Sequence, residues 1–213
     1  LQNGKFITLE GIDGAGKSTH LAWLEDYLCS KGVKVVVTRE PGGTAVGEQL
    51  RALLLDQRHT MHAETEALLM FAARREHLDK IILPAIQRGD WVVSDRFSDA
   101  SFAYQGCGRG VAWEKLVLLE QWVQEDFYPD LTVYIDVPVM LGRERVNSVK
   151  AADRFESETD AFFDRVRTGY LERVRQFPQR MQILDGSLPL DEVRAALAGV
   201  MEHFWLNQAL HEK

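Results

Sequence analysis

Gly11-Ile12-Asp13-Gly14-Ala15-Gly16-Lys17-Ser18 decides the fold. The octapeptide has the spacing G-x4-G-K-S, follows the apolar run Phe6–Leu9 and opens a helical pattern from Gly16 to Ser30. Strand, glycine turn and helix in that order make a phosphate cradle. Glycines at 11, 14 and 16 let the backbone curl so that its N–H groups point inward at phosphate oxygens. The helix N-terminus adds its positive dipole end. Lys17 supplies a point charge for β- and γ-phosphates, and the Ser18 hydroxyl is placed to ligate Mg²⁺. Gly11, Ile12, Asp13, Gly14, Ala15, Gly16, Lys17, Ser18 and Thr19 form the expected ATP-binding segment. A dinucleotide site fits poorly, because the glycines do not fall at G-x-G-x-x-G. Asp13 either faces Mg²⁺ or a second ligand, or it caps the loop.

Outward from the loop, short β-rich runs alternate with longer helical stretches. Phe6–Leu9, Val33–Thr38, Trp91–Ser94, Leu131–Ile135 and Gln182–Leu184 read as strands. The first four are apolar on both alternating faces, as in a parallel sheet covered by helices on both sides. Gly16–Ser30, Val46–Asp56, Ala63–Ile86, Trp113–Glu125, Val139–Val146, Thr159–Gln176 and Leu190–Leu206 read as helices. Pro84 is expected to kink or end the third of these. The alternation predicts an α/β fold of the P-loop NTPase class: a five-stranded parallel sheet with helices on both faces. Arg143–Glu158 is the most charged and least apolar stretch and reads as a helix end plus a mobile loop.

Bulk properties set limits on the whole. A chain of 213 residues, 46% hydrophobic and 27% charged, predicts one globular domain over residues 1–213. A net charge of -7 is a poor match to a nucleic-acid backbone, but it leaves room for a local cationic pocket. Cys29 and Cys107 show no metal-ligand spacing, which favours a reducing, cytoplasmic setting without a zinc site or disulfide framework. No apolar run approaches the roughly 18 residues of a membrane span. Leu1–Lys5 lacks the basic and apolar regions of a signal peptide.

A second anion site is expected at the ends of the second and third strands, where α/β sheets bind ligands. Thr38-Arg39-Glu40-Pro41-Gly42-Gly43-Thr44 follows the second strand. Arg39 is either a bidentate clamp on a phosphate or one half of a surface ion pair with the neighbouring glutamate. The third strand ends in Asp95-Arg96. Asp95 can hold Mg²⁺ through water, accept a proton from the acceptor, or simply cap the strand. Arg96 can neutralise the transferred phosphoryl group. Tyr104-Gln105-Gly106 lies in the segment that follows. Met70, Phe71, Arg74 and Arg75 share a helix face that either stacks and hydrogen-bonds a base or packs as core.

Together these residues resemble the bacterial type of thymidylate kinase. The resemblance covers nearly the whole chain and is carried by Glu10–Thr19 (EGIDGAGKST), Arg39–Thr44 (REPGGT), Leu68–Arg74 (LLMFAAR), Asp95–Gly110 (DRFSDASFAYQGCGRG), Pro129–Pro138 (PDLTVYIDVP) and Asp153–Glu156 (DRFE). It implies a nucleoside-monophosphate kinase that moves the γ-phosphoryl group of Mg-ATP to dTMP, works as a homodimer and closes a mobile lid, here about residues 143–158. Asp13 then faces the acceptor's sugar and phosphate. Arg39 binds the dTMP phosphate, and Asp95 and Arg96 serve the metal and the moving group. Tyr104 packs beneath the deoxyribose, with Gln105 in the same substrate set. Arg74 hydrogen-bonds a thymine carbonyl. Phe71 is expected to stack on the base; the alternative is that Met70 covers it and Phe71 is core. Gly14 stands where some relatives carry a P-loop arginine. The missing cation is therefore expected from the lid: Arg145, Lys150 or Arg154.

Overall fold

The computed structural model describes residues 4–147 and 153–211. The chain runs β1 (Phe6–Glu10), α1 (Lys17–Ser30), β2 (Val35–Arg39), α2 (Ala45–Leu55), α3 (Ala63–His77), α4 (Leu83–Gln87), β3 (Trp91–Asp95), α5 (Ser98–Ser101), α6 (Trp113–Gln124), β4 (Leu131–Asp136), α7 (Val139–Asn147), α8 (Asp160–Gln176), β5 (Met181–Asp185) and α9 (Leu190–His211). All five strands pair parallel, in the order β2-β3-β1-β4-β5.

The period-two alternation of the strands explains the layering. Ile7, Leu9, Val93, Val133 and Ile135 pack with Leu24 and Leu28 of α1, Val166 and Tyr170 of α8, and Leu197 and Met201 of α9. Phe6 and Val92 point the other way, onto Ala67 and Phe71 of α3 and Leu116 and Val123 of α6. Both faces are therefore buried, and burial of each large apolar side chain stabilises the fold by about 1.5–3 kcal/mol. β2 departs from the expectation of full cover. It is an edge strand, and Val35, Val36, Val37 and Thr38 are only half-buried.

The helical run continues past Pro84. Between α3 and α4 the chain takes one π-helical turn, Leu78–Ile82, and helix resumes with Pro84 in its first turn. The wider turn absorbs the amide that proline lacks and the clash its ring makes one turn back. A second π-helical stretch, Phe102–Gly108, follows α5 and carries Tyr104 and Gln105. Among the described residues no helix is long and apolar enough to cross a membrane.

The register aligns the carboxyl ends of the strands. Leu9 and Arg39 both pair with Asp95, and Glu10 pairs with Tyr134. The loops after β1, β2 and β3 thus emerge together.

Candidate active site

The loop after β1 has the backbone the motif demands. Gly11, Gly14 and Gly16 take φ of 151°, 81° and 87°, in a region that favours glycine. Lys17 is buried and folds its Nζ onto the carbonyls of Gly11 and Ile12, 3.1 Å from each. Burial, followed by the charge of Arg96, holds its pKa below the ordinary lysine value. Ser18 and Thr19 are exposed at the first turn of α1.

Arg96 is the junction of the site. It has φ of 71°, a conformation that costs a non-glycine residue about 1–2 kcal/mol. Three hydrogen bonds pin the turn. The Arg96 N–H donates to Leu9 O (2.9 Å), the Ser94 hydroxyl donates to Arg96 O (2.8 Å), and the Phe97 N–H donates to Glu10 Oε1 (2.7 Å). The Arg96 guanidinium then donates to Asp13 Oδ1 and to the Tyr104 hydroxyl, each at 2.8 Å. Tyr104 in turn donates to Asp13 Oδ2 at 3.3 Å. Burial pushes the Asp13 pKa up, but the charges of Arg96 and Lys17 outweigh it and bring the carboxyl to about 2. Glu10, fully buried and also accepting from the Tyr170 hydroxyl at 2.8 Å, is pushed up to about 8 by burial and by the charge of Asp99.

These residues open onto one cavity, lined among others by Lys17, Ser18, Arg51, Met70, Asp95, Arg96, Tyr104 and Gln105. Among the described residues, four buried side-chain atoms of this region have no hydrogen-bond partner: Asp95 Oδ1, Arg96 Nε, Arg74 Nη1 and Gln105 Oε1. Buried polar atoms left without partners are costly, so each marks a place for a ligand or water. Arg74 is fully buried. Its other nitrogens are held by Glu40 Oε2 (2.8 Å), Phe97 O (3.1 Å) and Ser101 Oγ (3.0 Å), and its guanidinium lies 4.5 Å from the Phe71 ring centroid. His77 Nδ1, 3.0 Å away, occupies the other Glu40 oxygen.

Several expected site residues sit elsewhere. Phe71 is 1% exposed and packs in the core beneath Arg74, so it does not reach the cavity; Met70 does. One residue along a helix is a 100° rotation, and that rotation separates wall from core. Arg39 lies outside the cavity wall. It is half exposed and holds Glu48 bidentately, with both distances 3.0 Å. The neighbouring Glu40 is buried on Arg74 instead of pairing with Arg39. Arg145 lies across the glycine loop and donates to Gly14 O (3.4 Å) and Gly186 O (3.0 Å). Arg154 donates to Leu54 O (2.6 Å) and pairs with Glu66 (2.7 Å). Lys150 falls outside the described residues.

Arg51 was not anticipated. It lines the cavity and donates to Pro41 O at 2.9 Å. Its signal is helical spacing: Gly47, Arg51 and Leu54 share one face of α2, and Gly47 and Leu54 are buried. A cation on a core-facing stripe calls for an anionic partner.

Comparison with known proteins agrees with this geometry. The family model described as "Thymidylate kinase" matches residues 9–197. Two relatives described as thymidylate kinases come from Nitrosomonas. That of Nitrosomonas eutropha is 68% identical over 209 residues, spanning 98% of this chain and 97% of its own length. That of Nitrosomonas europaea is 70% identical over 205 residues, spanning 96% and 95%. The crystal structure of thymidylate kinase from Ehrlichia chaffeensis superposes with a TM-score of 0.76 at 35% identity, covering 93% of this chain and 99% of that one. With that coverage and identity, the chain belongs to the thymidylate kinase family.

Proposed function

We propose that the chain transfers the γ-phosphoryl group of ATP to dTMP, giving ADP and dTDP, a step towards dTTP. The observation that carries the choice of acceptor is the pair of unpartnered atoms, Arg74 Nη1 and Gln105 Oε1. One is a donor and the other an acceptor. Ser101, which Arg74 grips, lies one helical turn before Gln105, so Arg74 is buried directly behind the segment that lines the cavity through Gln105. Thymine offers the complement: a carbonyl acceptor at position 4 beside an N–H donor at position 3. Cytosine offers the reverse pattern. Met70 covers the base from α3.

At neutral pH the second ionisation of the acceptor phosphate, near about pH 6, leaves an anionic oxygen ready to attack. No general base is then needed, and Asp95 is free for the metal. Catalysis consists of positioning and charge neutralisation. Arg51 and Arg96 hold the acceptor phosphate in line. Lys17 and the loop N–H groups hold the donor phosphates, and Arg145 reaches the loop from α7 as the lid cation. Asp13, fixed by Arg96 and Tyr104, orients the sugar above the tyrosine ring. The free Oδ1 of Asp95 and the exposed Ser18 hydroxyl suit Mg²⁺, which when bound neutralises β- and γ-phosphate oxygens.

The chain acts as one nucleoside-monophosphate kinase domain, a reading supported by its single continuous sheet. Its two free cysteines favour the cytoplasm. It pairs as a homodimer through α3 and α6, where Leu68 and Trp122 are 53% and 78% exposed. A monomer mass in sedimentation equilibrium would overturn the pairing. The activity is tested by following ADP release with dTMP, dUMP, dCMP, UMP and AMP. The highest kcat/KM is expected for dTMP; AMP or UMP above dTMP would refute the assignment.

A further inference from the structure

We propose that Glu66 is a positioning residue for base choice: it fixes the Gln105 amide so that its oxygen, not its nitrogen, faces the bound base. The proposal rests on the base-edge reading above. An amide presents a donor on one side and an acceptor on the other, and a half-turn exchanges them. Something must therefore lock Gln105, or its half of the base edge would be read alike in thymine and cytosine.

Glu66 of α3 is fully buried. Its Oε1 accepts from Gln105 Nε2 at 2.8 Å. Arg109 Nε lies 3.4 Å and 3.2 Å from its two oxygens, and Arg154 Nη2 lies 2.7 Å from Oε2. A carboxylate in ion pairs offers acceptors only. The Gln105 nitrogen must then point at Glu66, because the flipped amide would set oxygen against oxygen in a buried place. Gln105 Oε1 is left without a partner among the described residues, on a side chain that lines the cavity. The two arginines have other anchors: Arg109 also pairs with Glu158, and Arg154 also donates to Leu54 O. Among the described residues, Glu66 is the one partner shown for the Gln105 amide. Arg154 belongs to the stretch after residues 148–152, so one carboxylate ties the lid's return to the base reader.

The test is kcat/KM for dTMP, dUMP and dCMP in the wild type, Glu66→Gln, Glu66→Asp, Gln105→Leu and the double variant Glu66→Gln/Gln105→Leu. A glutamine at 66 can donate as well as accept, so Gln105 is free to turn. The dTMP-to-dCMP ratio is expected to fall about tenfold or more in Glu66→Gln. The dTMP-to-dUMP ratio and the KM for ATP stay put, since uracil shares the thymine edge. Glu66→Asp keeps an acceptor-only group and is expected to keep the dTMP-to-dCMP ratio even if all rates drop. The double variant should match Gln105→Leu. Equal losses on all three substrates in Glu66→Gln, or an aspartate variant that loses selectivity as the glutamine variant does, would overturn the proposal. If Gln105→Leu collapses the ratio while Glu66→Gln preserves it, Glu66 is excluded and the base-edge reading stands. A ratio that survives Gln105→Leu overturns both.

Discussion

At the scale of the residue, neighbouring positions divided into wall and core. The pattern of residue types from 68 to 74 shows that a helix face carries Met70, Phe71 and Arg74, but not which of the first two meets the cavity. Aromatic chemistry favours Phe71 for stacking; the rotation of α3 favours Met70. The same limit applies to the arginines. Arg39 stands in a recognisable motif, yet its guanidinium is held by Glu48 at the surface. Arg51 stands in a leucine-rich helix with no motif, yet it lines the cavity. Burial, followed by the charges of Arg39 and Arg96, lowers its pKa, as expected for a cation enclosed near others. Arg51→Ala is therefore expected to raise the KM for dTMP about 10–100-fold, the loss of one or two charge-assisted hydrogen bonds, with the ATP KM within about threefold. Arg39→Ala should change either KM by less than about threefold. Steady-state kinetics of both variants settle the order, and a larger dTMP effect for Arg39 would contradict it.

At the scale of the element, most of the fold was legible because apolar periodicity and glycine turns are local signals. Every expected strand is present, each with its carboxyl end at or one residue beyond the predicted bound. The two π-helical turns were not legible, because they answer to Pro84 and to packing beyond the local sequence. Nor was the seat of α7. A Cβ built on Gly14 would lie 2.0 Å from Gly142 O, and one on Gly142 would lie 2.8 Å from Asp13 O. The helix backbone thus rests directly on the phosphate loop, through residues far apart in sequence. That contact leaves no room for a side chain at position 14. It also sets Arg145, one turn after Gly142, over the loop. Gly142→Ala is expected to lift α7. The ATP KM should rise several-fold with little change for dTMP, and stability in urea should fall by about 1–3 kcal/mol. An unchanged ATP KM would show that α7 does not depend on this contact to place its cation.

At the scale of the molecule, an acidic chain with a net charge of -7 gathers Lys17, Arg51 and Arg96 around one cavity. The parallel sheet makes this possible. Its strands end in register, so cations far apart in sequence meet where the loops emerge. The phosphate loop and the Asp95-Arg96 strand end announced that cavity in the sequence. The depth of Arg74 did not show there, because it is fixed by Glu40 and Ser101 from two other segments. Two anions therefore meet in one enclosure, with the phosphoryl group passing between them and not to water. Following the label from γ-³²P-ATP tests this most directly. With dTMP present, the label is expected in dTDP, in amounts equal to the ADP formed, with little released as inorganic phosphate. Label released as inorganic phosphate at a rate indifferent to dTMP would contradict it and mark the chain as a nucleotide-hydrolysing switch.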